Sequence, residues 1–123
     1  MTTLSAAHAA ERLCYLTTTG RITGKPHEIE IWFARGDGDR IYMLSGGGRN
    51  RDWVLNLIAN PAVCVRIDGT TYRGAATPID GHPEEPRARR LLAAKYQSWS
   101  EGQPLSDWAT RSFPVAIDLR ERE

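Results

Sequence analysis

Surplus charge is almost absent from this sequence: 16 Lys and Arg stand against 15 Asp and Glu, a formal net of +1 over 123 residues. With no basic excess there is no electrostatic case for nucleic acid or an anionic membrane as the main partner. Long apolar runs are missing as well. No stretch reaches the roughly 18 residues that a spanning helix needs, so no membrane span is expected. The opening MTTLSAAHAAERL lacks the basic head and apolar run of a secretory signal. Cysteine is scarce: Cys14 and Cys64 both sit in apolar, strand-like runs. A buried free thiol is the expectation at each, because two cysteines build neither a disulfide framework nor a metal set. A reducing, cytoplasmic setting follows. His27 and His82 have no ligand spacing around them, so no metal is expected. There is no G-x-S-x-G elbow and no evident histidine for Ser45, which argues against hydrolase chemistry.

What is present is a chain of a length that suits one domain with one core, residues 1–123. Residues 4–12 are alanine-rich and predict a short helix. Residues 13–19 read as a strand, and Gly20 and Gly24 bracket a turn. From His27 to Ala34 the pattern alternates, with Ile29, Ile31 and Phe33 on one face and Glu28, Glu30 and Trp32 on the other. The GDGD at 36–39 is a hairpin turn, and Arg40 to Ser45 a third strand of one meander. Residues 49–59 predict a helix with Trp53, Val54, Leu57 and Ile58 as its apolar stripe, ended by Asn60-Pro61. Two strands follow, 62–67 and 70–79, joined by an Asp68-Gly69 turn. A proline-led helix then places Ala88, Leu92, Tyr96 and Trp99 on one face. Gly102 and Pro104 break it, and 113–119 alternates as a closing strand. Six strands with two or three helices predict a mainly β, α+β fold, a closed or split antiparallel barrel.

The segment SGGGRNRDW joins a triple-glycine loop to a helix start. Backbone N–H groups there can meet an anion, with Arg49 and Arg51 beside them. Its position after antiparallel strands argues against a Rossmann or P-loop site and for a barrel holding a phosphorylated cofactor. A flexible loop with solvated arginines is the alternative. Gly20-Arg21-Ile22-Thr23-Gly24-Lys25 is either a second anion clamp or an ordinary hairpin turn. Glu28 and Glu30, about 7 Å apart on one strand face, suit proton transfer or simply face solvent. Core packing is the first expectation for Trp53 and Trp99. Tyr96 stays open between packing and chemistry, since a phenol both stacks and donates a proton.

The runs LTTTGRITGKP, SGGG before a tryptophan, WVLNLIANPAV and KYQSW resemble the deazaflavin-dependent nitroreductases of actinobacteria, over roughly residues 13 to 119. The resemblance implies an FMN-binding, pyridoxamine-phosphate-oxidase-like split β-barrel. It implies hydride transfer from reduced coenzyme F420 to a quinone, nitro compound or activated enone. FMN is the alternative cofactor, and a non-catalytic flavin-binding protein the alternative outside enzymes. By the same resemblance Arg21, Thr23, Gly24 and Lys25 contact the cofactor's phosphate tail. Ser45, Gly46, Gly47 and Gly48 hold the ring and its chain. Trp53, Asn56 and Asn60 border the groove, and Trp32 and Tyr96 face the acceptor as the catalytic pair. Family members commonly carry basic residues where Ile22 and His27 stand, a lysine where Gly46 stands, and many a proline where Glu30 stands. Lys25, Arg49 and Arg51 are the nearby cations left to meet the phosphate. The expected assembly is a monomer or a homodimer.

Overall fold

In the computed structural model, which describes residues 3–123, the alternating runs become strands and the apolar-striped runs helices. The order is α1 (Ala6–Ala9), β1 (Cys14–Thr19), β2 (Pro26–Ile31), β3 (Ala34–Arg35), β4 (Arg40–Ser45), α2 (Asp52–Ala59), β5 (Ala62–Ile67), β6 (Thr70–Pro78), α3 (Glu85–Tyr96), α4 (Asp107–Arg111) and β7 (Phe113–Arg122). All seven strands belong to one antiparallel sheet in the order β2-β1-β5-β6-β7-β4-β3.

That order corrects the expected meander. β1 and β2 form one hairpin, β3 and β4 another, but β2 and β4 are not neighbours. The run expected as a single strand from His27 to Ala34 breaks at Trp32 and Phe33, which makes seven strands of the expected six. β2 and β3 then lie at opposite edges of the sheet. Laid flat, those edges would stand roughly 29 Å apart at ordinary strand spacing. Two linking residues reach only about 10 Å. The sheet therefore curls until its edges nearly meet, and the unpaired seam between them is the split in the barrel.

Two apolar layers follow from the curl. Inside lie Leu16, Phe33, Met43, Val65, Tyr72 and Ile117, among others, with Leu57 of α2 closing one end. A second cluster sits on the outer face, where Ala34, Tyr42, Leu44 and Ala116 pack beneath Ala88 and Leu92 of α3. This is why β7 is buried on both faces from Pro114 to Ile117, although its alternation read as one-sided. β6 accommodates the bend with a register shift at Arg73/Gly74. A Cβ on Gly74 would fall 2.9 Å from the Asp118 carbonyl, so only glycine lets the two strands stay this close.

Further differences are local. The helix expected over 49–59 begins at Asp52, and its stripe is rotated: Val54, Asn56 and Leu57 are buried while Ile58 is 38% exposed. Trp99 lies beyond the end of α3. Cys14 is fully buried as expected, but Cys64 is only half-buried on the open face of β5. Among the described residues no helix is long and apolar enough to cross a membrane.

Candidate functional site

The Gly20–Lys25 turn folds against α2 and encloses a cleft of about 190 Å³, lined by Gly20, Arg21, Ile22, Thr23, His27, Asp52 and Asn56. Two backbone bonds close the turn: Gly20 N–H to the Lys25 carbonyl and Gly24 N–H to the Gly20 carbonyl, each 2.8 Å. Asn56 pins it down. Its side-chain oxygen accepts from Arg21 N–H at 3.2 Å and from Arg21 Nη1 at 2.8 Å. Its amide donates to Thr18 Oγ1 at 3.2 Å. Arg21 Nη2 also reaches Asp52 Oδ1 at 3.2 Å. Arg21 thus has its charge partly offset, and Asn56 is tied up by the fold. Thr23 Oγ1 accepts from Lys25 N–H at 3.2 Å. Ile22 stands 85% exposed at the rim. Gly24 and Lys25 belong to the turn without lining the cleft.

The triple-glycine segment is a defined turn. Ser45 Oγ donates to the Gly48 carbonyl at 2.8 Å, and Gly48 N–H returns a bond to the Ser45 carbonyl at 3.0 Å. Gly48 holds φ +86°, the left-handed region that glycine enters without strain. Arg51 folds back over Gly47, occupying the space a side chain there would need. Arg51 is also the N-cap of α2 and provides no side-chain cap, whereas Ser5 and Ser106 cap α1 and α4. Ion pairs among the described residues engage Arg21, Arg40, Arg66, Arg73, Arg87 and Arg89. Lys25, Arg49 and Arg51 are exposed and have no carboxylate partner among those residues. An uncapped helix start with free cations around it is a donor set for an anion.

The second cleft lies over the seam. It measures about 310 Å³ and is lined by Leu13, Glu30, Ile31, Trp32, Leu44 and Trp108. Trp32 and Tyr96 are stacked, centroids 4.4 Å apart and planes within 1°. Trp108 meets Trp32 edge-on at 5.3 Å. The Trp108 ring also comes within 3.3 Å of where a Gly46 Cβ would be, which connects this aromatic wall to the glycine turn. Trp108 is held from below: Arg89 Nη1 donates to the Ala109 carbonyl at 2.9 Å and the Ser112 carbonyl at 2.8 Å, and Arg89 Nε pairs with Glu85 at 3.1 Å.

Tyr96 offers its ring more than its hydroxyl. The oxygen accepts from Phe33 N–H at 3.0 Å and lies 2.9 Å from the carbonyls of both Phe33 and Arg12, to one of which its proton goes. Burial raises its pKa further above the ordinary phenol value. Beside it, Lys95 Nζ donates to the carbonyls of Ala9 at 3.1 Å and Phe33 at 2.9 Å, and burial draws this amine down to about 8. Burial pushes the Cys14 thiol up to about 12.

The structure therefore gathers Arg21, Thr23 and Asn56 at one cleft and Trp32 at the other, with Tyr96 stacked on Trp32 but outside the cleft lining, and Gly46 close to Trp108. Trp53 is half-buried and packs against the inner core. Asn60 accepts from Ala62 N–H at 3.1 Å at the helix exit. Glu28 and Glu30 part company: Glu30 lines the aromatic cleft, while Glu28 pairs with Arg66 at 3.3 Å. Sequence reasoning missed Trp108, Leu44 and Asp52. For Trp108 a signal existed, since Ser106-Asp107 is an N-cap followed by a first-turn acid.

Compared with known proteins, residues 4–120 match the sequence model of a family described as F420H(2)-dependent quinone reductase. Solved structures share the fold. An F420-H2-dependent reductase, FDR-A, superposes with a TM-score of 0.65 at 24% identity, over 95% of this chain and 97% of that one. A Listeria innocua protein provisionally described as a pyridoxamine 5′-phosphate oxidase gives 0.65 at 21% identity, over 92% and 87%. An FAD-binding protein from Mesorhizobium loti gives 0.63 at 20%, over 97% and 92%. The fold is thus the pyridoxamine-phosphate-oxidase-like split barrel expected above.

Proposed function

Because the chain belongs to the F420H(2)-dependent quinone reductase family and is an F420-dependent oxidoreductase, we infer that its two clefts divide one reaction between them. The first cleft and the glycine turn bind coenzyme F420. The aromatic cleft receives a small organic acceptor: a quinone, a nitro compound or an activated enone.

The donor set fits the anionic tail of such a cofactor. Arg49 and Arg51 lie at a helix start that lacks a side-chain cap, Lys25 lies in the Gly20–Lys25 turn, and none of the three has a carboxylate partner among the described residues. Thr23 and the backbone of Gly24 shape the turn that faces them, and Asn56 keeps Arg21 oriented. In the Ser45–Gly48 turn, Gly46 leaves room beside Trp108 and Gly47 leaves room for Arg51, and Trp53 steadies the helix behind it. When bound, reduced F420 supplies the hydride. Trp32 presents a ring held by Tyr96 and Trp108, and this fixed surface orients a flat acceptor. The Tyr96 hydroxyl is engaged with backbone, which leaves water entering the open cleft, or Glu30 at its wall, as the source of the proton that completes reduction.

The observation that carries this reading is the cluster of unpaired cations at the uncapped start of α2. The test is calorimetric titration of the protein with F420 and with FMN. F420 is expected to bind at least about tenfold more tightly, a difference of roughly 1.4 kcal/mol. Tighter FMN binding, or no binding of either below about millimolar, rejects it. FMN is the second reading, favoured by a fold that an FAD-binding protein shares.

A further inference from the structure

Among the described residues Glu30 is the one charged residue that lines the aromatic cleft; Leu13, Ile31, Trp32, Leu44 and Trp108 make up the rest. Its surroundings leave that charge in force. Glu30 accepts a bond from Tyr15 Oη at 3.1 Å, a neutral donor. Among the described residues it forms no ion pair, whereas its neighbour Glu28 is paired with Arg66, whose guanidinium also lies 4.2 Å from the Tyr15 ring. The cations closest to the stacked pair, Arg12 and Lys95, contact Tyr96 at 4.8 and 5.2 Å from its centroid, and neither lines the cleft.

We propose that Glu30 and the Trp32–Trp108 wall make this a cleft for flat aromatic acceptors that are cationic or electron-poor at the rim, and that it disfavours anionic ones. The proposal rests on the reading of this cleft as the acceptor site. Two physical effects point the same way. The negative face of a fixed tryptophan attracts a flat cation more than an anion. A carboxylate at the rim then adds attraction for a cation and repulsion for an anion, weakened by solvent and salt. Neither effect opposes a neutral quinone or nitro compound, so the discrimination is by charge and leaves the reactive group unconstrained.

The test uses three nitroaromatics of similar size: 4-nitrobenzyltrimethylammonium, 4-nitrobenzyl alcohol and 4-nitrobenzenesulfonate. Binding is read by quenching of tryptophan fluorescence, and KM by turnover with reduced F420. At low salt the cation is expected to bind about tenfold or more tightly than the anion, with the neutral compound between them. The gap should narrow as ionic strength rises. Glu30→Gln should shrink the cation-to-anion ratio severalfold in both readouts. Equal affinities for cation and anion, or a preference that survives Glu30→Gln, overturn the proposal. Because quenching needs no cofactor, a charge preference found in a protein that fails to bind F420 supports the cleft chemistry and rejects only the redox reading. Turnover without charge preference does the reverse.

Discussion

Tyr96 was the residue whose sequence position left packing and chemistry evenly matched, and its hydroxyl contacts now weigh on one side. Tyr96→Phe keeps the ring stacked on Trp32 but strips Phe33 N–H of its acceptor and a backbone carbonyl of its donor. Thermal or urea unfolding should show a loss of about 1–3 kcal/mol, with F420 affinity unchanged. Lys95 makes a separate prediction. Its amine sits at about 8 when folded and at 10.5 when free. Below about pH 8 both states are protonated, and partial burial of the charge costs stability. Between about 8 and 10.5 the unfolded chain binds more protons than the folded one, so this residue makes stability rise with pH. Cys14, raised from 9.0 to about 12, works the other way over its own range. The clean measurement is therefore a difference: the stability of the parent relative to Lys95→Met should increase from pH 8 to 10.5. The two thiols should also separate. Under native conditions an aromatic disulfide reagent should modify half-buried Cys64 and reach Cys14 only on unfolding. Burial of Cys14 was legible in its apolar run; the settings of Tyr96 and Lys95 were not, because each depends on which backbone groups a distant strand brings near.

At the scale of elements, the glycine turn and α2 act together. If Arg49 and Arg51 hold an anionic tail, losing one charge-assisted contact costs about 1.5–3 kcal/mol, on the order of 10- to 150-fold in affinity. Calorimetry on Arg49→Ala, Arg51→Ala and the double variant should show that loss at low salt and a smaller one at high salt. Parent-like binding by the double variant would remove the anion site from this turn. The start of α2 was readable from glycine followed by an amphipathic run, though the helix begins at Asp52 and buries Asn56, a polar residue outside the expected apolar stripe. Its burial has a cause: Asn56 stabilises the β1–β2 turn from beneath, which a leucine could not do. α4 is five residues long, too short to show a period. Its one sequence signal is the Ser106-Asp107 cap. The proposed acceptor wall was therefore partly legible: Trp32 and Tyr96 by pattern and resemblance, Trp108 only through that cap.

At the scale of the whole molecule, alternation and turn chemistry located the strands almost residue by residue, but strand order escaped them. The pattern across 27–34 never falters, so nothing local reveals that the chain leaves one edge of the sheet and joins the other. Phe33, fully buried at this crossing, should be the most sensitive point of the closure. Phe33→Ala is expected to cost about 3–5 kcal/mol by urea denaturation. The place of β7 in the sheet carries a consequence of another kind. It is the last strand in chain order, yet it lies inside the sheet, hydrogen-bonded to β6 on one side and β4 on the other. The β3–β4 hairpin has no other partner there. A nascent chain can assemble β2, β1, β5 and β6 as they emerge from the ribosome, but the hairpin must wait, with Ile41 and Met43 uncovered, until residues 113–122 arrive. During synthesis this protein holds an unfinished surface for the length of two strands and three helices, and chaperone binding or aggregation should concentrate in that interval.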